Sequence, residues 1–322
     1  MTLDPALFLT VDFPAWAVAS LSSAVCALLG NFLVLRRQAM MGDAVTHVVL
    51  PGIVVGFLIA DAHSAVHMTL GALVATVLAV GLIEALRRFG RLEEGAAMGT
   101  VFTVMFAFGI VLIEQTGNAN SHISPDHALF GNLEATVWVG PTAWGDLLSA
   151  DMWALLPPEF ATLLWVVPLT GGAVLLFYKE LKLATFDPLL SRSLGFAPGA
   201  LGLGFMVFVA IAAVASFEAV GSILVVAMFI CPAATARLLT DRLAVQLWLS
   251  VAIAVLAATL GYVLAASAPV WAGTPGALSA AGMIAVAAGG LELAAILFAP
   301  RYGLLARRRR AAIARAAAGV SS

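Results

Sequence analysis

The sequence predicts an all-α membrane protein: a polytopic helical bundle of eight or nine spans, with the N-terminus outside and the C-terminus inside. Three observations predict it. The 322 residues are 62% hydrophobic and only 11% charged, against about a quarter charged in an ordinary soluble domain, and mean hydropathy is +1.04. Apolar runs close to the roughly 20 residues that a membrane crossing needs recur along the chain. The basic residues fall only between alternate runs.

The runs lie near residues 14–35, 44–60, 67–86, 96–114, 160–178, 199–216, 218–236, 243–267 and 276–300. Two of them, 44–60 and 199–216, are short, and a tight turn is expected near 217. Met1 to Asp12 lacks the basic, apolar and small-residue pattern of a signal peptide, so the first run is expected to stay as a span. With the N-terminus outside, the inner connections hold Arg36 and Arg37, then Arg87, Arg88 and Arg91. Next come Lys179, Lys182 and Arg192, then Arg237 and Arg242. The end of the chain adds Arg301, Arg307 to Arg310 and Arg315. Those are all 16 lysines and arginines, as the inward bias of positive charge requires. Residues 1–305 are read as one transmembrane domain. Residues 306–322 are a basic tail suited to anionic headgroups.

The outer connections carry Asp61, Glu114, Asp126, Glu134, Asp146, Asp151 and Glu159 together with His63, His67, His122 and His127. A face without cations attracts a cationic solute or a basic partner, although the inward bias alone also produces it. His63, His67, His122, Asp126 and His127 are candidate outer contacts for a metal or a partner. Residues 115–159 form the one long outer connection, with four prolines and three tryptophans. An ordered cap is expected there, with a short interfacial helix around Gly131 to Val139.

Several chemistries are excluded by absence. There is no GxxxxGK[ST] to cradle nucleotide phosphates and no HExxH, and no GxSxG elbow. Cys26 and Cys231 sit in separate apolar runs and form neither a disulfide framework nor a CxxC thiolate site. A conduit fits this composition better than an enzyme.

Polar residues inside spans then carry the argument. Asp43 and His47 open the second run four residues apart, which stacks them on one helix face. A carboxylate and an imidazole so placed can hold one divalent cation. Two other readings stand beside it: Asp43 as a helix N-cap and His47 as a core histidine bonded to a carbonyl. Glu218 begins the seventh span and suits an outer relay ligand or a first-turn carboxylate favoured by the helix dipole. Glu292 lies inside the ninth and suits a bundle-facing hydrogen-bond acceptor. Carboxylate and imidazole without thiolate suit Mn²⁺, Fe²⁺ or Zn²⁺ rather than Cu(I). On the inner side, Asp187-Pro188 reads as an N-cap with proline at the first helical position, and Gly195 as a stop. They bound a two-turn helix between spans.

Four motifs together resemble the permeases of bacterial zinc, manganese and iron ABC importers. They are Gly30-Asn-Phe-Leu-Val-Leu-Arg-Arg37, Met41-Gly-Asp-Ala-Val-Thr-His-Val-Val-Leu-Pro-Gly52, the Phe186-Asp-Pro…Leu194-Gly195 segment and Val220-Gly-Ser-Ile-Leu-Val-Val…Pro232-Ala-Ala-Thr-Ala-Arg237. The resemblance runs in order over roughly residues 15 to 300. It implies a dimer with a second permease copy or a paralogue, and two cytoplasmic ATPase subunits that use the ATP. It also implies an external metal-binding lipoprotein and a place in the bacterial inner membrane. No permanently bound cofactor and no nucleic acid are implied. The metal, manganese, zinc or iron, is cargo. Asp43 and His47 match the family's pair on the ion path, and the helix with Asp187, Pro188, Leu194 and Gly195 matches its coupling helix. The Trp-rich 138–158 insertion and the Arg-rich tail depart from shorter members. Two alternatives remain: a stand-alone proton-coupled transporter using Asp43, His47, Glu218 and Glu292, and a membrane enzyme or scaffold without cargo.

Overall fold

The computed structural model describes residues 7–60, 65–116, 131, 133–139, 153, 155–272, 278–306 and 308. All regular structure among them is helical. A π-turn, Phe8–Asp12, leads into α1, Phe13–Leu35. Then follow α2, Met40–Ala60, α3, Ala65–Phe89, and α4, Glu94–Thr116. After the outer connection come α5, Pro158–Leu176, and two short helices, α6, Tyr178–Phe186, and α7, Pro188–Ser193. The chain closes with α8, Pro198–Leu239, α9, Leu243–Ala272, and α10, Ala280–Phe298. Prolines sit in the first turns of α1, α5, α7 and α8, where the missing N–H costs nothing. By length and composition, nine spans are present among the described residues, α8 supplying two.

The organising element is α8. Phe205 in its first arm meets Phe32 of α1 edge-on, with ring centroids 5.5 Å apart. Phe229 in its second arm presses its backbone onto Gly30 of α1. In a straight helix those two phenylalanines would be about 36 Å apart, yet they reach α1 within one turn of each other. The helix therefore doubles back. The reversal is at Gly221, with φ 73° and ψ 169°, a conformation that only glycine adopts without strain. The turn expected near 217 thus lies four residues later. Cys26 of α1, at a 3.7 Å hydrogen bond from Ser216, marks the level just before the tip. The tip accordingly sits partway along α1, short of its Phe13 end.

The cap differs from the interfacial helix expected around Gly131 to Val139. A single 3-10 turn, Leu133–Ala135, is present, and residues 136–139 are irregular. Three tethers explain why. Gly131, at φ 72°, lies on the Val220–Gly221 backbone at the reversal. Glu134 accepts a 2.7 Å hydrogen bond from the Ala280 amide at the start of α10. The Trp138 amide donates to the Thr10 carbonyl at 2.9 Å, and its fully buried ring sits among Phe13, Trp153 and Phe160 at 6.0–6.5 Å. Such anchoring outweighs the small gain of one or two further helical turns.

Inside the bundle, α1 and α9 are joined by a fully buried amide network. The Gln246 side-chain amide donates to Asn31 Oδ1 at 2.9 Å, and Asn31 Nδ2 donates to Ser250 Oγ at 2.6 Å. In hydrocarbon such interhelical bonds fix register. By contrast α3 and α4 turn broad apolar faces outward, including Leu70, Val74, Leu78 and Val104.

Candidate metal site

Asp43 lies in the first turn of α2, where a carboxylate is favoured by the helix dipole. Because α2 begins at Met40, Asp43 is inside the helix and is not its N-cap. One turn later His47 turns its ring back, leaving Nε2 3.4 Å from Asp43 Oδ1. Both side chains keep access, Asp43 39% exposed and His47 25%. The imidazole is flanked by two aromatic rings of α4, Phe102 at 5.2 Å and Phe106 edge-on at 5.3 Å. Those rings hold the imidazole against rotation, so its nitrogen and the carboxylate oxygen converge on one point.

Both arms of α8 approach this part of α2. Gly42 abuts the Phe229 ring, and Val49 joins Ala72, Val214 and Phe217 in a small buried cluster. Gly42 and Gly30 meet the same phenylalanine, so Asp43 lies about 8 Å, five helical residues, from the arginine-bearing end of α1. The backbone of Glu218 follows directly on Phe217, within about a turn of His47 along the bundle; its side chain lies outside the described residues. Among the described residues no group of three or more His, Cys, Asp and Glu could hold a metal. The pair is a two-donor site, and a divalent ion there would complete its shell with water or with donors from elsewhere.

Beyond the pair, Pro51, Val55 and Ile59 of α2 line an apolar groove of about 370 Å³ shared with α3 and α4. His67 stands on the wall of this groove. Of the other outer candidates, His63, His122, Asp126 and His127 lie outside the described residues. Glu292 of α10 lies beside Cys231 in the second arm of α8.

At the arginine-bearing end, the expected short helix is present as α7. Asp187 Oδ1 accepts from the Leu190 amide at 2.9 Å, capping a helix that Pro188 begins. Gly195, at φ 85°, ends it. Leu189 and Leu194 are 77% and 60% exposed, an apolar knob with no cover of its own. Sequence reasoning passed over Phe102, Phe106 and Phe229. The i, i+4 spacing of Phe102 and Phe106 was visible, but nothing local says that this stripe faces His47.

Comparisons with known proteins bear on the same segments. The model of the ABC 3 transport family matches residues 10–138 and 145–291. The chain is 36% identical over 302 residues to the manganese transport system membrane protein MntD of Bacillus subtilis, covering 93% of this chain and 97% of that one. It is 37% identical over 292 residues to the zinc transport system membrane protein TroD of Treponema pallidum, covering 90% and 74%. Among solved structures, PsaBC from Streptococcus pneumoniae in complex with Fab matches with a TM-score of 0.72 and 27% identity, over 90% of this chain and 92% of that one.

Proposed function

The chain belongs to the ABC 3 transport family, and from that premise we propose that it is the membrane-spanning permease subunit of an ATP-driven importer of manganese, zinc or iron(II), with Asp43 and His47 as ligands on the ion path. The observation that carries this reading is the convergence of one carboxylate oxygen and one imidazole nitrogen at the start of a membrane span. Ionisable groups within membrane spans are costly and mark transport paths. Hard carboxylate with borderline imidazole suits all three ions. Two protein donors bind without trapping, so the ion leaves when the bundle changes shape. Glu218, which follows Phe217 in sequence, is read as the outer relay ligand that hands the ion to the pair.

The arginine-bearing end is read as cytoplasmic, because the lysines and arginines of the sequence fall only in the connections assigned to that side. In this orientation α7 is the coupling helix, and two cytoplasmic ATPase subunits cover its leucines. A second permease copy or a paralogue covers part of the apolar outer surface. An external metal-binding protein delivers the ion to the cap, in the inner membrane of a bacterium. Catalysis of ATP hydrolysis belongs to the ATPases, since the chain has no phosphate-binding loop.

The test is uptake in proteoliposomes containing the permease and its ATPase. ATP should drive accumulation of Mn²⁺, Zn²⁺ or Fe²⁺, and a proton gradient without ATP should not. Uptake driven by the gradient alone would overturn the ABC reading in favour of a secondary transporter. Leu189→Asp should separate the two activities. Placing a charge in an apolar docking contact costs several kcal/mol when buried, so ATP-dependent uptake should fall about tenfold or more. The purified permease should meanwhile keep its melting temperature, because Leu189 is exposed in the isolated chain.

A further inference from the structure

A cleft of about 400 Å³ opens at the arginine-bearing end, between α6 and α7, the start of α2 and the ends of α1, α3 and α8. Arg36, Arg87 and Arg192 line it, with Gln38 and a single carboxylate, Glu84. Glu84 is already engaged: it pairs with Arg87 at 3.2 Å and with Arg88 at 2.6 Å. Arg36 has no carboxylate partner among the described residues. Its Nε donates to Thr185 Oγ1 at 3.0 Å, its guanidinium lies 5.1 Å over the Phe205 ring, and its Nη2 is buried with no acceptor. Burial pulls this guanidinium below the ordinary arginine value. A half-buried guanidinium with one nitrogen buried and no counter-charge carries a cost that folding alone does not explain.

One further donor borders the same space. Pro198 and Gly199, at the start of the 42-residue α8, line the cleft. The N-cap, Ala197, offers no side-chain acceptor and Pro198 has no N–H, which leaves the Gly199 amide as the helix-start donor beside the cleft. A helix start with adjacent guanidiniums is the arrangement that binds phosphate groups.

We propose that this cleft binds a phosphate-bearing anion, held between Arg36 of α1, Arg192 of α7 and the amino end of α8. Bound there, the anion ties the coupling helix to the bundle and supplies the negative charge that Arg36 lacks. The cleft reaches Met41 of α2 but includes neither Asp43 nor His47, and the proposal does not depend on which metal is carried.

The test is native mass spectrometry of the delipidated full-length permease, titrated separately with inorganic phosphate, dioctanoyl phosphatidylglycerol and dioctanoyl phosphatidylcholine. Saturable binding of phosphate or of phosphatidylglycerol, but not of phosphatidylcholine, is expected. Binding of both supports a free-phosphate site, and binding of the lipid alone supports a headgroup site. Loss of one charge-assisted contact should weaken binding about tenfold or more, in Arg36→Gln and equally in Arg192→Gln. The second variant is on an exposed side chain and leaves folding intact. Arg37→Gln, outside the cleft, should bind as wild type. Equal binding of phosphatidylcholine, no effect of Arg192→Gln, or an equal loss in Arg37→Gln would each overturn the proposal. So would release of the anion on adding the ATPase subunits, since the occupant in the working complex would then be an acidic side chain of the ATPase.

Discussion

Replacement of Asp43 or His47 by alanine is expected to lower ATP-driven metal uptake about a hundredfold or more, while assembly with the ATPase stays intact. The size of the effect follows from the donor count. With two protein donors at the pair, either substitution removes half of what the chain contributes there. Changing groups that merely orient a ligand already costs 10–100-fold in metal affinity. Stability should change little, because both side chains retain access and Asp43 is inside α2 rather than capping it. The measurement is initial uptake of radioactive Mn²⁺ and Zn²⁺ in proteoliposomes, with ATPase activity and melting temperature recorded for each variant. Asp43→Asn and His47→Gln, which keep size and lose charge or basicity, should behave like the alanine variants. Wild-type uptake in any of them would remove the pair from the ion path. Phe106→Ala should give a smaller loss of transport, since it frees the imidazole without removing a donor.

The second large effect concerns the bundle itself. Gly30→Ala should lower thermal stability more than any other single methyl addition in α1, because the new Cβ would overlap the Phe229 carbonyl. The obstacle is backbone rather than a movable side chain, so one arm of α8 must retreat. Overpacking of this kind costs about 1–3 kcal/mol even where side chains absorb part of it. Retreat of Phe229 would also reach the site, since the same ring backs Gly42 beside Asp43. Uptake and stability should therefore fall together. Gly81→Ala is the control: nothing stands within 4 Å of its Cβ position, and a helical glycine replaced there should be neutral or gain up to about 1 kcal/mol. A melting temperature for Gly30→Ala equal to that of the control would show that the α1–α8 contact is looser than described.

The helical class and the apolar spans were legible because hydrocarbon imposes a length and an apolar composition on every crossing. Asp43 and His47 were legible for the same reason, as polar residues in a costly place at helical spacing. Asp187, Pro188 and Gly195 were legible because capping and stopping are local chemistry. What escaped depends on contacts distant in sequence. The reversal at Gly221 looks from the sequence like one glycine among many, and only the shared neighbours of Phe205 and Phe229 on α1 reveal it. The cap was misread as a helix because the pull on Trp138 comes from Thr10, Phe13 and Phe160. Neither Phe102 nor Phe106 carries any sign of its imidazole partner.

The doubled-back α8 also constrains how the chain is made. Residues 198–239 form one almost uninterrupted apolar stretch, about twice the length of a crossing, with Lys182 and Arg192 before it and Arg237 and Arg242 at its end. Positive charge at both flanks holds the two ends on the same side of the bilayer. The stretch must therefore enter the membrane as a closed loop, not as a threaded segment. Gly221 alone can make its bend, and α1, synthesised first, already offers the surface against which both arms settle.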